Sequence, residues 1–145
     1  MVVPHALFEP IRKIQDTNLI CPPVISQWAA VGALEAGRPY ANAHRPAMAA
    51  ARQAVLEALQ DAGDVCSVPT AQGAFYLLLN VPPAMDSMRL VERLVREYRV
   101  AVMPGSTFGV TDRCALRVSY GPLQSETAQE GIGRLIAGLR AILGK

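Results

Sequence analysis

Apolar residues recur at helical spacing through the first third of the chain. Leu7, Ile11 and Ile14 mark one segment, with Pro10 starting or kinking the helix and Asp16-Thr17-Asn18 ending it. Pro22-Pro23 opens a second helix that carries the only tryptophan, Trp28, and runs to Ala36, with Gly37 as its stop. That helix is apolar nearly all round, so it packs on several sides or lies at an interface. Gly37-Arg38-Pro39 reads as a turn. A long helix follows over 44–62, with Met48, Val55, Leu59 and Ala62 on its inner face and Gly63 ending it.

The pattern then changes. Residues 65–68 have strand character, 69–73 form a turn, and 74–81 are a continuous apolar run suited to a buried central strand, stopped by Pro82-Pro83. Ser87 is placed to cap a helix with the stripe Leu90, Val91, Leu94, Val95 and Tyr98. A short strand over 100–102 is broken by Pro104-Gly105, which begins a loop through Gly109. Residues 114–120 form another buried strand, ended by Gly121-Pro122. Ser125 caps the last helix, Glu126 sits at its positive end, and Ile132, Leu135, Ile136, Leu139 and Leu143 form its apolar face. This order gives an α+β fold, a small and mostly antiparallel sheet covered by helices. Residues 44–145 make the compact sheet domain, with 74–81 and 114–120 as its central strands. Residues 1–43 read as the edge of another domain plus connecting helices. There is no internal repeat and no low-complexity segment.

Length and charge narrow this picture. A chain of 145 residues buries roughly 70% of its unfolded surface, enough for a proper core. Its 14 basic and 12 acidic residues are interspersed, so no basic stripe supports nucleic-acid binding. The uncharged stretches 17–34 and 65–85 are interrupted by prolines and amides, and neither reads as a membrane span. Cys21, Cys66 and Cys114 read as reduced, small, buried residues of a cytosolic protein. With only His5 and His44, and no Cys-x-x-Cys pattern, no metal site is expected. Met1-Val2-Val3-Pro4-His5 carries no signal-peptide pattern. It reads like the tail of a strand whose sheet lies elsewhere, with Met1 internal to a longer gene or a misassigned start.

Arg117 is the most informative single residue. It sits within Ala115-Leu116-Arg117-Val118, where an unpaired buried guanidinium would cost several kcal/mol. Alternation puts Leu116 and Val118 on one face and Arg117 on the other with Ala115 and Ser119. A planar fork of donors suits a carboxylate gripped by two hydrogen bonds. An arginine on a solvent-facing strand side is the plainer alternative, and spacing alone slightly favours it. In Pro104-Gly105-Ser106-Thr107-Phe108-Gly109 the glycines let the backbone approach a ligand or another segment. Phe108 there either walls a pocket or fills the core.

Taken together, Lys13-Ile14-Gln15-Asp16, Pro22-Pro23, Gly73-Ala74-Phe75-Tyr76, Pro104-Gly105-Ser106-Thr107-Phe108-Gly109 and Leu116-Arg117-Val118-Ser119-Tyr120-Gly121 are specific in order and separation. As a set they resemble the C-terminal part of class I/II aminotransferases, of the aspartate aminotransferase superfamily and fold type I, over essentially the whole chain. The resemblance implies that Arg117 binds the substrate's α-carboxylate and that Phe108 lies close to the substrate. It implies that the stretch before the proline pair, with Asn18 as its candidate substrate-binding residue, lies near the neighbouring subunit's active site. It also implies pyridoxal 5'-phosphate as cofactor, amino acid and 2-oxo acid substrates, and a cytoplasmic homodimer at full length, without nucleic-acid or membrane partners.

The family holds its cofactor through a lysine in a serine-rich motif, and through further groups of the larger domain. The two lysines here, Lys13 and Lys145, have no such motif around them. No catalytic and no cofactor-binding residue is therefore assigned, and the chain alone is expected to be inactive. Dicarboxylate-specific relatives carry an arginine before the proline pair; Asp16-Thr17-Asn18-Leu19-Ile20 has none. An acidic side chain would lack that partner, although other subgroups bind such side chains differently. Two alternatives stand beside transamination: another reaction on the same scaffold, such as C–S lysis or decarboxylation, and a non-catalytic small-molecule-binding or interaction module. The missing lysine motif favours the second. The abrupt start and the apolar second helix argue against it.

Overall fold

The computed structural model describes residues 2–82, 85–121 and 123–145. Pro83 and Pro122, expected to help stop two strands, lie outside the described residues, as does Met1. The chain divides into two units, Met1–Ala43 and His44–Lys145.

In the first unit a 3-10 turn, His5–Leu7, leads into α1, Phe8–Asn18. Pro10 falls in the first turn of α1, where no intrahelical N–H is needed, so the helix starts ahead of it. No residue of α1 is buried. The next helix, α2, spans Val24–Ala58 and is two helices run together across a kink at Gly37. Gly37 has φ 56° and ψ −146°, a conformation that favours glycine. The expected turn at 37–39 is thus a single-residue kink, and the second helix begins directly after it rather than at 44. Pro39 is tolerated there because it lies in a first turn. Trp28 and Ile25 are 72% and 79% exposed. Cys21 is exposed, against the expectation of a buried thiol, whereas Cys66 and Cys114 are buried. Burial pushes the Cys66 and Cys114 thiols up.

The second unit is built on a three-stranded antiparallel sheet. Its strands are β1, Tyr76–Asn80; β2, Met103–Pro104; and β3, Ala115–Ser119, in the order β1-β3-β2. Only β3 is central, so the run at 74–81 supplies an edge strand. Residues 65–68 contribute one isolated bridge, Ser67 to Asn80, rather than a strand. The expected strand at 100–102 is displaced to β2. Arg99 adopts a left-handed conformation (φ 54°) and Val100 N–H turns back to the Leu94 carbonyl, so pairing begins only at Met103. Pro104 is accommodated because β2 is an edge.

Helices α3, Ser87–Tyr98, and α4, Ser125–Leu143, join the end of α2 around one face of this sheet. Leu77, Leu79, Leu116 and Val118 pack there with Val55, Leu59, Leu90, Leu94, Ile132, Leu135 and Leu139. Each fully buried leucine contributes about 1.5–3 kcal/mol. Two expected core positions are not in the core, since Met48 is 37% and Val95 45% exposed. Ala51 and Ala54 take the inner face of α2 instead of Met48. Gly138 allows α3 and α4 to approach closely, since a Cβ there would stand 2.7 Å from Leu94 Cδ2. Both expected caps shift by one residue. Asp86 caps α3, its carboxylate accepting from Met88 N–H (2.9 Å) and Arg89 N–H (3.2 Å), while Ser87 is buried and donates to Ser106 Oγ at 3.1 Å. Gln124, with no side-chain cap bond, precedes Ser125 in α4.

Near the end of α4, Arg140 donates to the Asp64 carboxylate at 2.9 and 3.1 Å and to the Asp61 carbonyl at 2.7 Å. The hydrogen-bonded guanidinium holds the Asp64 carboxyl below the usual carboxylate range. A carboxyl held low adds stability above the ordinary carboxylate pKa, and that stability is lost as pH falls through its folded value. Asp64→Asn should lower the thermal midpoint at neutral pH, with the gap to the parent closing as the melts are followed into acid. A gap of constant size would show that charge has no part in this tie.

Candidate functional site

The register of β1 and β3 places the site. Leu78 lies opposite Arg117 and Tyr76 opposite Ser119, while Met103 of β2 faces Arg117 from the other side. Tyr76 is therefore a diagonal neighbour of Arg117 on the face away from Leu116 and Val118, within reach of a long side chain. The Arg117 Cζ lies 4.1 Å from the centroid of the Tyr76 ring and 5.1 Å from that of Phe108. Tyr76, Leu78, Phe108 and Arg117 line a pocket of about 280 Å³. Arg117 is half-buried, and its Nε is buried without a hydrogen-bond partner among the described residues. No carboxylate pairs with it among them. A guanidinium carries five donors and cannot shed its charge, so an apolar ring with no acceptor leaves it short of partners. A ligand carboxylate entering the pocket would supply them where water screens poorly.

Two backbone devices hold the rings in place. Ahead of β1, Ala74 takes a left-handed φ of 67°. The Tyr120 hydroxyl, on a side chain only 1% exposed, donates to the Ala74 carbonyl at 3.1 Å, and Tyr120 N–H donates to Phe75 O at 3.0 Å. Gly121 lies so close that a Cβ would stand 2.9 Å from Phe75 Cβ. Phe75 in turn meets Tyr76 edge to face, with centroids 5.5 Å apart. The motifs around 73–76 and 116–121 are thus one clasp. Phe108 closes a 3-10 turn, Gly105–Phe108, that ends at Gly109 with φ 80°. A Cβ on Gly105 would lie 2.8 Å from Ala115 Cβ and 2.9 Å from the Ala115 carbonyl oxygen. Glycine at 105 thus permits a close approach of the turn to β3.

Arg117 and Phe108 therefore come together in one unit. Asn18 belongs to the other, where it is the exposed last residue of α1. Tyr76 does not stand out in the sequence by itself, although it belongs to a motif that does. The signal that would find it is the pairing register, which makes it diagonal to Arg117. The residues that line this pocket include no lysine; within its own unit Lys13 is exposed on α1, and Lys145 follows α4 with its N–H bonded to the Arg140 carbonyl. Beside Arg117 the lining is two aromatic rings and a leucine, one cation in largely apolar surroundings, which suits a carboxylate better than a phosphorylated, lysine-linked cofactor. Among the described residues no three His, Cys, Asp or Glu side chains group as a metal site.

Known proteins match the chain along nearly its whole length. The family model for aminotransferase class I and II matches residues 1–135. The chain is 35% identical over 132 residues to the aromatic aminotransferase ISS1 of Arabidopsis thaliana, covering 90% of this chain and 33% of that protein. It is 31% identical over 146 residues to the aspartate/prephenate aminotransferase of Thermus thermophilus, covering 98% of this chain and 35% of the relative. Among solved structures it superposes, at a TM-score of 0.77 and 25% identity, on LysN, an alpha-aminoadipate aminotransferase of Thermus thermophilus complexed with N-(5'-phosphopyridoxyl)-L-leucine. That match covers 99% of this chain and 38% of the other. The chain spans about a third of the length of the curated relatives it matches.

The packing of Gly105 on Ala115 is open to test. Gly105→Ala should destabilise the chain by about 1–3 kcal/mol, read from the denaturant midpoint. Adding Ala115→Gly should recover part of the loss, since it removes one of the two colliding atoms. A double variant no more stable than Gly105→Ala alone would mean that the collision is with the backbone only.

Proposed function

Because the chain belongs to the class I and II aminotransferases, we propose that it is the C-terminal portion of an enzyme that moves an amino group between an amino acid and a 2-oxo acid. In this reading Arg117 holds the substrate's α-carboxylate. The observation that carries it is that Arg117 lines a pocket otherwise walled by Tyr76, Leu78 and Phe108 and has no acidic partner among the described residues. The fork offers two parallel donors, and a carboxylate fills both. Gripping the carboxylate by two bonds fixes its plane and position, and together with a held amino group it limits where the α-proton can point. The apolar walls keep water from competing for the same donors.

Pyridoxal phosphate is the cofactor of this family. When bound, it supplies the carbonyl that receives the amino group. The relatives named above act on aromatic, aspartate or prephenate and aminoadipate substrates. These differ in side chain and share a carboxylate beside the reacting carbon, which supports a role for this part of the chain in holding the common group. The proposal extends, on the family resemblance, to a homodimer in the cytoplasm with the stretch ending at Asn18 near the neighbouring subunit's site.

Two experiments test the reading. In the protein that joins this chain to its cofactor-binding portion, Arg117→Lys keeps the charge and loses the fork. It should cost about 2–5 kcal/mol, or roughly 30- to several-thousand-fold in kcat/KM, for every donor with an α-carboxylate. The loss should be much smaller for an amine without one. Equal losses for both kinds of donor would make Arg117 structural. The chain by itself, mixed with pyridoxal phosphate and borohydride, should form no site-specific adduct. A single trapped lysine with turnover would show that the 145 residues suffice.

A further inference from the structure

Arginines set into apolar surroundings are usually steadied by an acidic side chain, which occupies the same donors a ligand would need. Arg117 has no such partner among the described residues, and its guanidinium lies over two aromatic rings. An aromatic ring attracts the flat face of a guanidinium and leaves the N–H groups around its edge free. We infer that Tyr76 is a positioning residue for Arg117: its ring is the shelf on which the guanidinium rests, so that the donors stay aimed and unoccupied until a carboxylate arrives. This rests on the carboxylate-binding reading of Arg117 given above.

The geometry of the shelf is overdetermined. Tyr76 is the closer of the two rings, at 4.1 Å against 5.1 Å for Phe108. It is fixed to the same sheet as Arg117 by the register Tyr76 to Ser119 and Leu78 to Arg117. Phe75 braces it edge to face, and Phe75 is itself pinned by Tyr120 N–H and crowded by Gly121. Phe108 instead rides on a 3-10 turn and is 47% exposed. Among the described residues no hydrogen bond involves the Tyr76 hydroxyl, so the ring face is the part that matters. Phenylalanine should therefore serve in its place, and an aliphatic residue should not.

The test uses the chain itself and two readouts. The first needs no ligand: the Arg117 Nε–H signal in a proton–nitrogen NMR spectrum, assigned by its loss in Arg117→Lys. Next to a ring face it should be shifted upfield. Tyr76→Phe should keep the shift, and Tyr76→Leu should return the signal toward that of a free arginine. The second is titration with 3-phenylpropanoate, with 3-phenylpropanamide as the uncharged control. Tyr76→Phe should bind the acid within about twofold of the parent and Tyr76→Leu about tenfold more weakly, while the amide binds none of them measurably. Tyr76 is 39% exposed, so leucine removes no core contact; Tyr76→Ile, at home in a strand, repeats the measurement if leucine loosens β1.

An unchanged shift and unchanged affinity in Tyr76→Leu overturn the inference, as does a lost shift with unchanged affinity. Failure of the underlying reading looks different. If the parent ignores the acid, or if Arg117→Lys binds it as tightly as the parent, Arg117 is no carboxylate site and the inference falls with it.

Discussion

The pairing of β3 with β1 in a single register is the constraint on which the rest of the sheet unit depends. With Leu78 opposite Arg117, the leucines at 77, 79 and 116 all face the helices and the guanidinium faces away. A slip of one residue would reverse every side chain of β3, sending Arg117 into the core and Leu116 out of it. The cost of burying that charge makes the alternative register prohibitive. Core and pocket are thus specified by one decision, and the arginine proposed to bind a carboxylate also guards the register.

Around that decision the molecule places small residues where segments must touch. Gly105 lets the turn bearing Phe108 lie against Ala115, Gly121 lets Phe75 lie against the end of β3, and Gly138 lets α4 settle on α3. In each case a methyl group would meet another atom at under 3.0 Å. The buried Tyr120 hydroxyl then satisfies the carbonyl of Ala74, whose left-handed backbone is itself a small strain. The site is built from side chains that are few and a backbone that is tightly held.

Much of this is legible in the sequence, and what is not has physical causes. The helical stripes of α3 and α4 and the apolar strand around Arg117 show as periodicity, because one face of each is buried. The cap of α3 falls one residue from its expected place at Asp86-Ser87, since both types cap well and only the backbone decides between them. Periodicity favours Met48 over Ala51 and Ala54 because alanine signals burial weakly, although both alanines are buried. Residues 65–68 have strand composition but find only one bridging partner. Arg117 and Phe108 stand out through family motifs. The placement of Tyr76 beside Arg117 cannot, because it exists only once two strands distant in sequence are paired.

The placement of Trp28 has a consequence for how the molecule is watched. The only indole of the chain sits at 72% exposure on α2, in the unit Met1–Ala43, whereas the whole hydrophobic cluster belongs to His44–Lys145. Its emission already comes from a solvated ring, so melting of the sheet unit gives it little to report. Circular dichroism, which sums over all helices, will register that melting. A fluorescence trace that stays flat through a dichroic transition would therefore be the signature of an indole in the wrong place, and the denaturation of the sheet is better followed through Tyr120, buried just past the end of β3.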